Sequence, residues 1–367
     1  MQERGGAIAT AFHPWFIGAP SVTESSVLGV LGFAFVSPTP MHLAHRFALG
    51  VVVLIPAFAR AQTDPRMTLD PWPTPQAWGQ THDDMIYQAQ SHTKREAGAN
   101  AQIFLWDSTG RFRLDAENPD APALGYRYLT MNFDTNSHVL PDTFDEVSLA
   151  ATLHLGELAG GGVSVLLGAG YSGDNPFADS EGVFGIAHLL WQRRLSDTDT
   201  LVLSLDYNGV AALYPDVPLP GVKFIRQDGP LRLELGFPRN ALAWSPGDAL
   251  TIEAAYEAPY TADVTADHKL GRDGLSVFGR YANFYNAFRL NGEPLTNRMF
   301  FQMSRAEVGV RYVNPHLVFD WAYFDASLSV GYAFEQHVSG GFDARETHSL
   351  EEMSDVPYVG FVIRGQF

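Results

Sequence analysis

Charged side chains recur inside runs where polar and apolar residues alternate: Asp206, Arg232, Glu234, Glu253, Glu257, Asp263, Asp267, Arg305, Glu307, Asp325 and Arg364. Carboxylates and guanidiniums that share one enclosed face have two options. They pair with one another and fill the space, or they line a thin aqueous path in which the acidic excess favours cations. Nucleophilic chemistry has a thinner basis. His154 or His188 with Ser148, Ser164 or Ser204 is the set from which a lipid hydrolase or acyltransferase would be built, yet each also reads as an ordinary polar residue of its run, so no catalytic residue is assigned. The histidines lack metal-ligand spacing, and Gly160-Gly161-Gly162 reads as a turn because no Lys-Ser/Thr helix start follows it. No metal and no cofactor is expected.

Composition narrows the classes. The 367 residues carry Lys+Arg 24 against Asp+Glu 41, a formal charge of −17 that would repel a phosphate backbone, so no nucleic-acid partner is expected. The Cys count of 0 excludes disulfides and thiolate chemistry. A mean hydropathy of −0.07 is too low for a bundle of membrane helices, but it suits a membrane β-barrel, where every second residue faces lipid. Aromatics at 13% and Gly at 34 residues fit girdles and close strand packing.

The charged residues would be positioned by strands of period two. Val147, Leu149, Ala151, Leu153 and Leu155 alternate with Ser148, Thr152 and His154, and Val163 to Tyr171 repeats the pattern. So do the stretches 187–195, 201–207, 231–237, 250–256, 262–267, 305–312 and 324–334. Several reach the ~9–11 residues that a tilted strand needs to cross a bilayer. Long polar linkers (Asp134–Asp145, Ser172–Gly182, Gly209–Pro220, Arg289–Arg298, Glu335–Asp355) alternate with short turns such as Ser196–Asp199 and Asp228-Gly229-Pro230. Residues 221–245 hold three short segments interrupted by Pro238. Counting each gives about fourteen strands, and treating one hairpin as an insertion gives about twelve, an even number of the kind single-chain barrels use.

The amino-terminal part reads differently. Met41 to Arg46 is a basic start, Phe47 to Phe58 an apolar core, and Ala59-Arg60-Ala61 a cleavage site: a signal peptide over 41–61. That predicts cleavage after Ala61, translation from Met41, and a mis-assigned upstream extension over 1–40. Residues 62–120 read as a mobile periplasmic leader, with a first strand or hairpin near Gln102–Trp106 and Phe112–Leu114.

The last stretch, Tyr358 to Phe367, places Val359, Phe361, Ile363 and Phe367 on one face and Tyr358, Gly360, Arg364 and Gln366 on the other. It resembles the closing strand of bacterial outer-membrane β-barrel proteins, whose terminal Phe is read by the assembly machinery, and this implies that Phe367 is an assembly signal. Val217 to Phe224 and Leu233 to Pro238 are similar to stretches in a family of such barrels of unknown activity; Pro and Gly there would shape a loop folding into the barrel mouth. The expectation is an all-β protein: a single antiparallel transmembrane β-barrel over 121–367 with about twelve strands, within a range of 10–14. It would lie in the bacterial outer membrane, with lipid and the assembly machinery as partners, and act as a passive channel or small-molecule binding barrel. The alternatives are a lipid hydrolase or acyltransferase barrel, and a structural barrel acting through its outer loops.

Overall fold

A computed structural model describes residues 77–367, apart from 119, 176, 178–179, 272–273, 295 and 315–321. The expected signal peptide over 41–61, the segment 1–40 and the start of the leader lie outside the described residues. Among the described residues, eighteen antiparallel strands form one sheet: β1 Gly79–Gln88, β2 Ser91–His92, β3 Asn100–Arg113, β4 Ala123–Thr135, β5 Thr143–Leu158, β6 Gly161–Gly173, β7 Val183–Arg194, β8 Asp199–Asn208, β9 Leu219–Asp228, β10 Leu231–Phe237, β11 Arg239–Trp244, β12 Leu250–Glu257, β13 Thr261–Lys269, β14 Leu275–Phe288, β15 Arg298–Asn314, β16 Tyr323–Gly341, β17 Thr347–Met353 and β18 Val356–Gln366. Pairing of β1 with both β3 and β18 closes the sheet, so sixteen strands make the ring while β2 and β17 extend it at one end.

The ring therefore has sixteen strands rather than about twelve, and it begins at Gly79, inside the segment expected to be a mobile leader. The strands missing from the period-two reading are β1, β3, β4 and β14. Their alternation is blurred because their inward positions are partly apolar: Ile86, Leu105, Leu129, Met131 and Phe284 face the same side as Asp84, Asp107, Arg127 and Arg280. The short segments of 221–245 are full members of the ring rather than an insertion. The expected loop Glu335–Asp355 is mostly strand, since β16 runs to Gly341 and pairs with β17.

Outward positions carry exposed apolar side chains on strand after strand, including Leu149, Leu167, Leu189, Leu235, Val308, Val330 and Val359. In a closed sheet with no free edge, such a belt satisfies the backbone internally and offers only apolar atoms to a bilayer. Phe367 lies at the short-turn end, its ring 5.9 Å from Trp78 and 5.8 Å from Phe324, and its backbone bonds to Trp78 and Gly79. The terminal aromatic thus clasps the seam where the first and last strands meet.

Candidate functional site

Interior side chains change character with height. Toward the long-loop end, the inward series runs from Asp84 to Ile86 on β1, from Asp107 through Leu105 to Ile103 on β3, from Arg127 through Leu129 and Met131 to Phe133 on β4, and from Arg305 through Met303 to Phe301 on β15. A charged layer therefore lies beneath an apolar one.

The charged layer is organised around Arg280 on β14. Its guanidinium donates to Asp263 at 2.6 Å, to Glu307 at 3.2 Å and to Asp84 at 3.3 Å. Arg305 adds a 2.6 Å contact to Asp84, and Glu307 accepts from Ser329 at 2.6 Å and from the Tyr358 hydroxyl at 3.0 Å. Tyr358 reaches Glu307 by lying over Gly331, where a Cβ would come within 2.5 Å of the ring. Nearer the short-turn end, Arg311 contacts Asp267 at 2.9 Å and Asp325 at 3.5 Å, and Arg364 contacts Asp325 at 3.3 Å and His82 at 3.2 Å. Desolvation is offset here because each buried charge meets an opposite one and further hydrogen-bond partners.

Most of the anticipated charged residues are thus brought together: Asp263, Asp267, Arg305, Glu307, Asp325 and Arg364 belong to this layer. Arg232 and Glu234 form a separate pair at 2.6 Å on β10, with Lys223 and Arg239 near Glu234 at 3.8 and 3.9 Å. Glu253 occupies an inward row with Thr265, Arg280 and Glu307 but is exposed. Asp206 and Glu257 lie near the mouth. Among the charged residues that sequence reasoning left out, Asp84, Asp107, Arg127 and Arg280 sit on the four strands whose alternation was not recognised; the residues His82, Asp84, Ile86 and Gln88 at every second position were the available signal.

Opposite walls meet inside the upper barrel. Asn286 on β14 donates to Glu146 on β5 at 3.2 Å, Glu146 accepts from Arg127 at 3.0 Å, and the rings of Phe144 and Phe288 stack with centroids 4.4 Å apart. This pinch divides the upper interior into two lobes. One, lined by β1, β3, β4, β15, β16 and β18, is filled by Ile103, Leu129, Met131, Phe301, Met303 and their neighbours. Beneath that filling a cavity of about 40 Å³ borders Asp84, Asp107, Arg280 and Arg305, room for about three waters.

The other lobe, lined by β6 to β13, is roofed by a loop. Residues 209–218 leave β8 and reach the far side of the ring: the Ala212 carbonyl accepts from the Ala344 amide at 2.8 Å, and Arg298 donates to the carbonyls of Val210 and Ala211 at 3.2 and 3.0 Å as well as to Phe342. Arg289 ties the same roof to Glu181, Val183 and Gly209 through their carbonyls. Val217 to Phe224 and Leu233 to Pro238, expected to shape a loop folding into the mouth, lie instead mostly in the ring strands β9 and β10, and the loop that folds inward is 209–218. Arg345 caps this loop by stacking on Tyr214 and forking onto Asp343, and that hydrogen-bonded guanidinium holds the Asp343 carboxyl below its usual range.

The hydrolase candidates do not assemble. Ser204 donates to Asp206 at 2.6 Å, and His188 contacts the other oxygen of Asp206 at 2.7 Å, so the acid lies between serine and histidine instead of behind the histidine. His154 and Ser164 stand 3.3 Å apart at an exposed position, and Ser148 is buried elsewhere on β5. Neither arrangement is the serine–histidine–acid chain that activates a hydroxyl.

No protein-family model matches the chain, and no curated protein does. Among solved structures it is similar to the Pseudomonas putida toluene transporter TodX, at 9% identity over 84% of this chain and 95% of that one with a TM-score of 0.34. The Ralstonia pickettii toluene transporter TbuX shows 11% identity over 84% and 95% with a TM-score of 0.26, and the Escherichia coli outer membrane protease OmpT 7% over 79% and 97% with a TM-score of 0.23. Overlap this loose carries no argument about function.

Proposed function

We propose that this protein is an outer-membrane barrel through which small solutes pass by the lobe lined by β6 to β13, exported by the 41–61 signal peptide and inserted through recognition of Phe367. The observation that carries the reading is the asymmetry of the interior. One lobe is packed solid over an ion-paired layer, whereas inward-facing Gln192 and Glu253 on the other are exposed. Ion pairing removes most of the acidic excess from any cation path, so selectivity rests on Glu253 and the net preference is modest. Planar-bilayer recordings test this: discrete conductance steps with a mild cation preference are expected, and Glu253→Gln should abolish the preference while leaving the steps. Absence of conductance together with absence of liposome swelling by a small sugar would overturn the reading.

A further inference from the structure

One position breaks the apolar belt. Asp83 on β1 faces outward, because the alternating positions Asp84 and Ile86 face the interior, and it stands four residues above Gly79, where the rings of Trp78, Phe112 and Phe367 gather. At a rise of about 3.4 Å per residue and a tilt of about 40°, that is about 10 Å into a belt of ~25 Å. Outward charges elsewhere, such as Arg193 and Arg226, stand near strand ends beside the short turns, where water reaches them. Asp83 has no such exit.

Its contacts on that face are few. One carboxylate oxygen accepts from the Trp106 indole N–H at 3.1 Å, and the Trp106 ring meets Tyr128 edge-on with centroids 5.2 Å apart. Tyr128 lies two strands along the same register row, from Asp83 through Ser108, and also faces outward. Among the described residues, neither its hydroxyl nor the second oxygen of Asp83 has a partner, and the outward positions of β18, β1, β3 and β4 hold no Lys or Arg that could supply one. Hydrocarbon offers no hydrogen bond. A carboxylate and a phenol left bare at that depth carry a desolvation cost, so both call for a complement from outside the chain.

We propose that this face is the contact between two copies of the chain in the membrane, with Asp83 of each copy accepting a hydrogen bond from the partner's Tyr128. Two barrels inserted in the same direction are related by a two-fold axis along the bilayer normal, and that rotation sets the β1 side of one face opposite the β4 side of the other. The face carries an acceptor on β1 and a donor on β4, so it is complementary to itself. Lipid supplies no donor at this depth, and an unlike protein would need both groups in the reversed order. A second copy has them already. The inference makes no use of the transport reading.

Sedimentation equilibrium of the full chain in density-matched detergent tests it. A dimer is expected, and Tyr128→Phe, which removes only the hydroxyl, should weaken it about tenfold or more, as should Asp83→Leu. Leu is what the belt carries at other outward positions, so the Asp83→Leu barrel should fold, and heat-modifiable gel migration verifies that each variant does. Leu235→Ala on β10, on the opposite side of the ring, should leave the dimer unchanged. Mixing the two variants is the sharper measurement. Each variant alone loses both cross-contacts, whereas a mixed dimer regains one, between Tyr128 of the Asp83→Leu chain and Asp83 of the Tyr128→Phe chain. The mixture should therefore dimerise more tightly than either variant by itself. A monomeric parent, a dimer indifferent to both substitutions, or a mixture no tighter than its components overturns the proposal.

Discussion

The two lobes of the barrel are built at different heights. β14, β15 and β16 have 14, 17 and 19 residues, whereas β10, β11 and β12 have 7, 6 and 8. At a rise of about 3.4 Å per residue and a tilt of about 40°, a seven-residue strand climbs only about 18 Å, short of the ~25 Å apolar belt of such barrels. The tall wall carries the Arg280 layer and the apolar filling, while the low wall carries the exposed interior carboxylate Glu253 and lies beside the roof formed by 209–218. Strand length therefore follows what the interior must bury: a wall that supports a packed core needs the length, and a wall facing water does not.

Four experiments can break or sharpen that contrast. The largest effect is expected at Arg280, whose removal in Arg280→Ala takes from Asp263 and Glu307 the guanidinium they share and leaves Asp84 to Arg305, and should cost about 3–5 kcal/mol, read as loss of folded species on detergent gels with urea. Arg232→Ala on the low wall should cost far less, because Lys223 and Arg239 remain near Glu234. Equal losses would show that the two walls are not different in kind.

Deleting Phe367 removes the ring between Trp78 and Phe324, and outer-membrane insertion should fall several-fold while export continues. Normal insertion would show that the seam closes without its terminal clasp. Gly331→Ala places a methyl against the Tyr358 ring and should cost about 1–3 kcal/mol by overpacking, because Tyr358 must leave Glu307 to make room; an unfolding midpoint like the parent's would contradict this.

The smallest effect concerns pH at the mouth. Arg345 holds the Asp343 carboxyl below its usual value of 3.8, and the Ser137 hydroxyl does the same for Glu96 in the loop before β3. A carboxyl depressed by folding contributes stability that is present above its unfolded pKa and is lost as pH falls through the folded value. The loop clasp should therefore hold between pH 8 and 5 and loosen only below about 4, visible as unchanged proteolysis of 209–218 across the upper range and faster cleavage, by an acid-active protease, below it. Cleavage that rises already at pH 6 would point to histidine instead.

Much of the ring was legible because lipid asks the same of every strand. Outward residues at period two, such as Leu203, Leu205, Val308, Val310 and Val359, announce themselves one strand at a time, and so does the terminal aromatic. Inward residues answer to neighbours. β4 and β14 escaped the pattern because their inner faces pack against other inner faces and became apolar too. Of the interior charges, the chain order could say that Arg305 and Glu307 point the same way, but not that Asp84, 221 positions from Arg305, lies 2.6 Å away.

By itself, then, the sequence determined a lipid-facing barrel with charges kept to the inside, since that requirement is local and repeats with the strand period. Only the tertiary structure decided that the ring has sixteen strands, that Glu146 and Asn286 pinch it into two lobes, and that 209–218 roofs one of them. Those outcomes depend on which strands closure brings face to face across the interior, and no spacing along the chain encodes that distance.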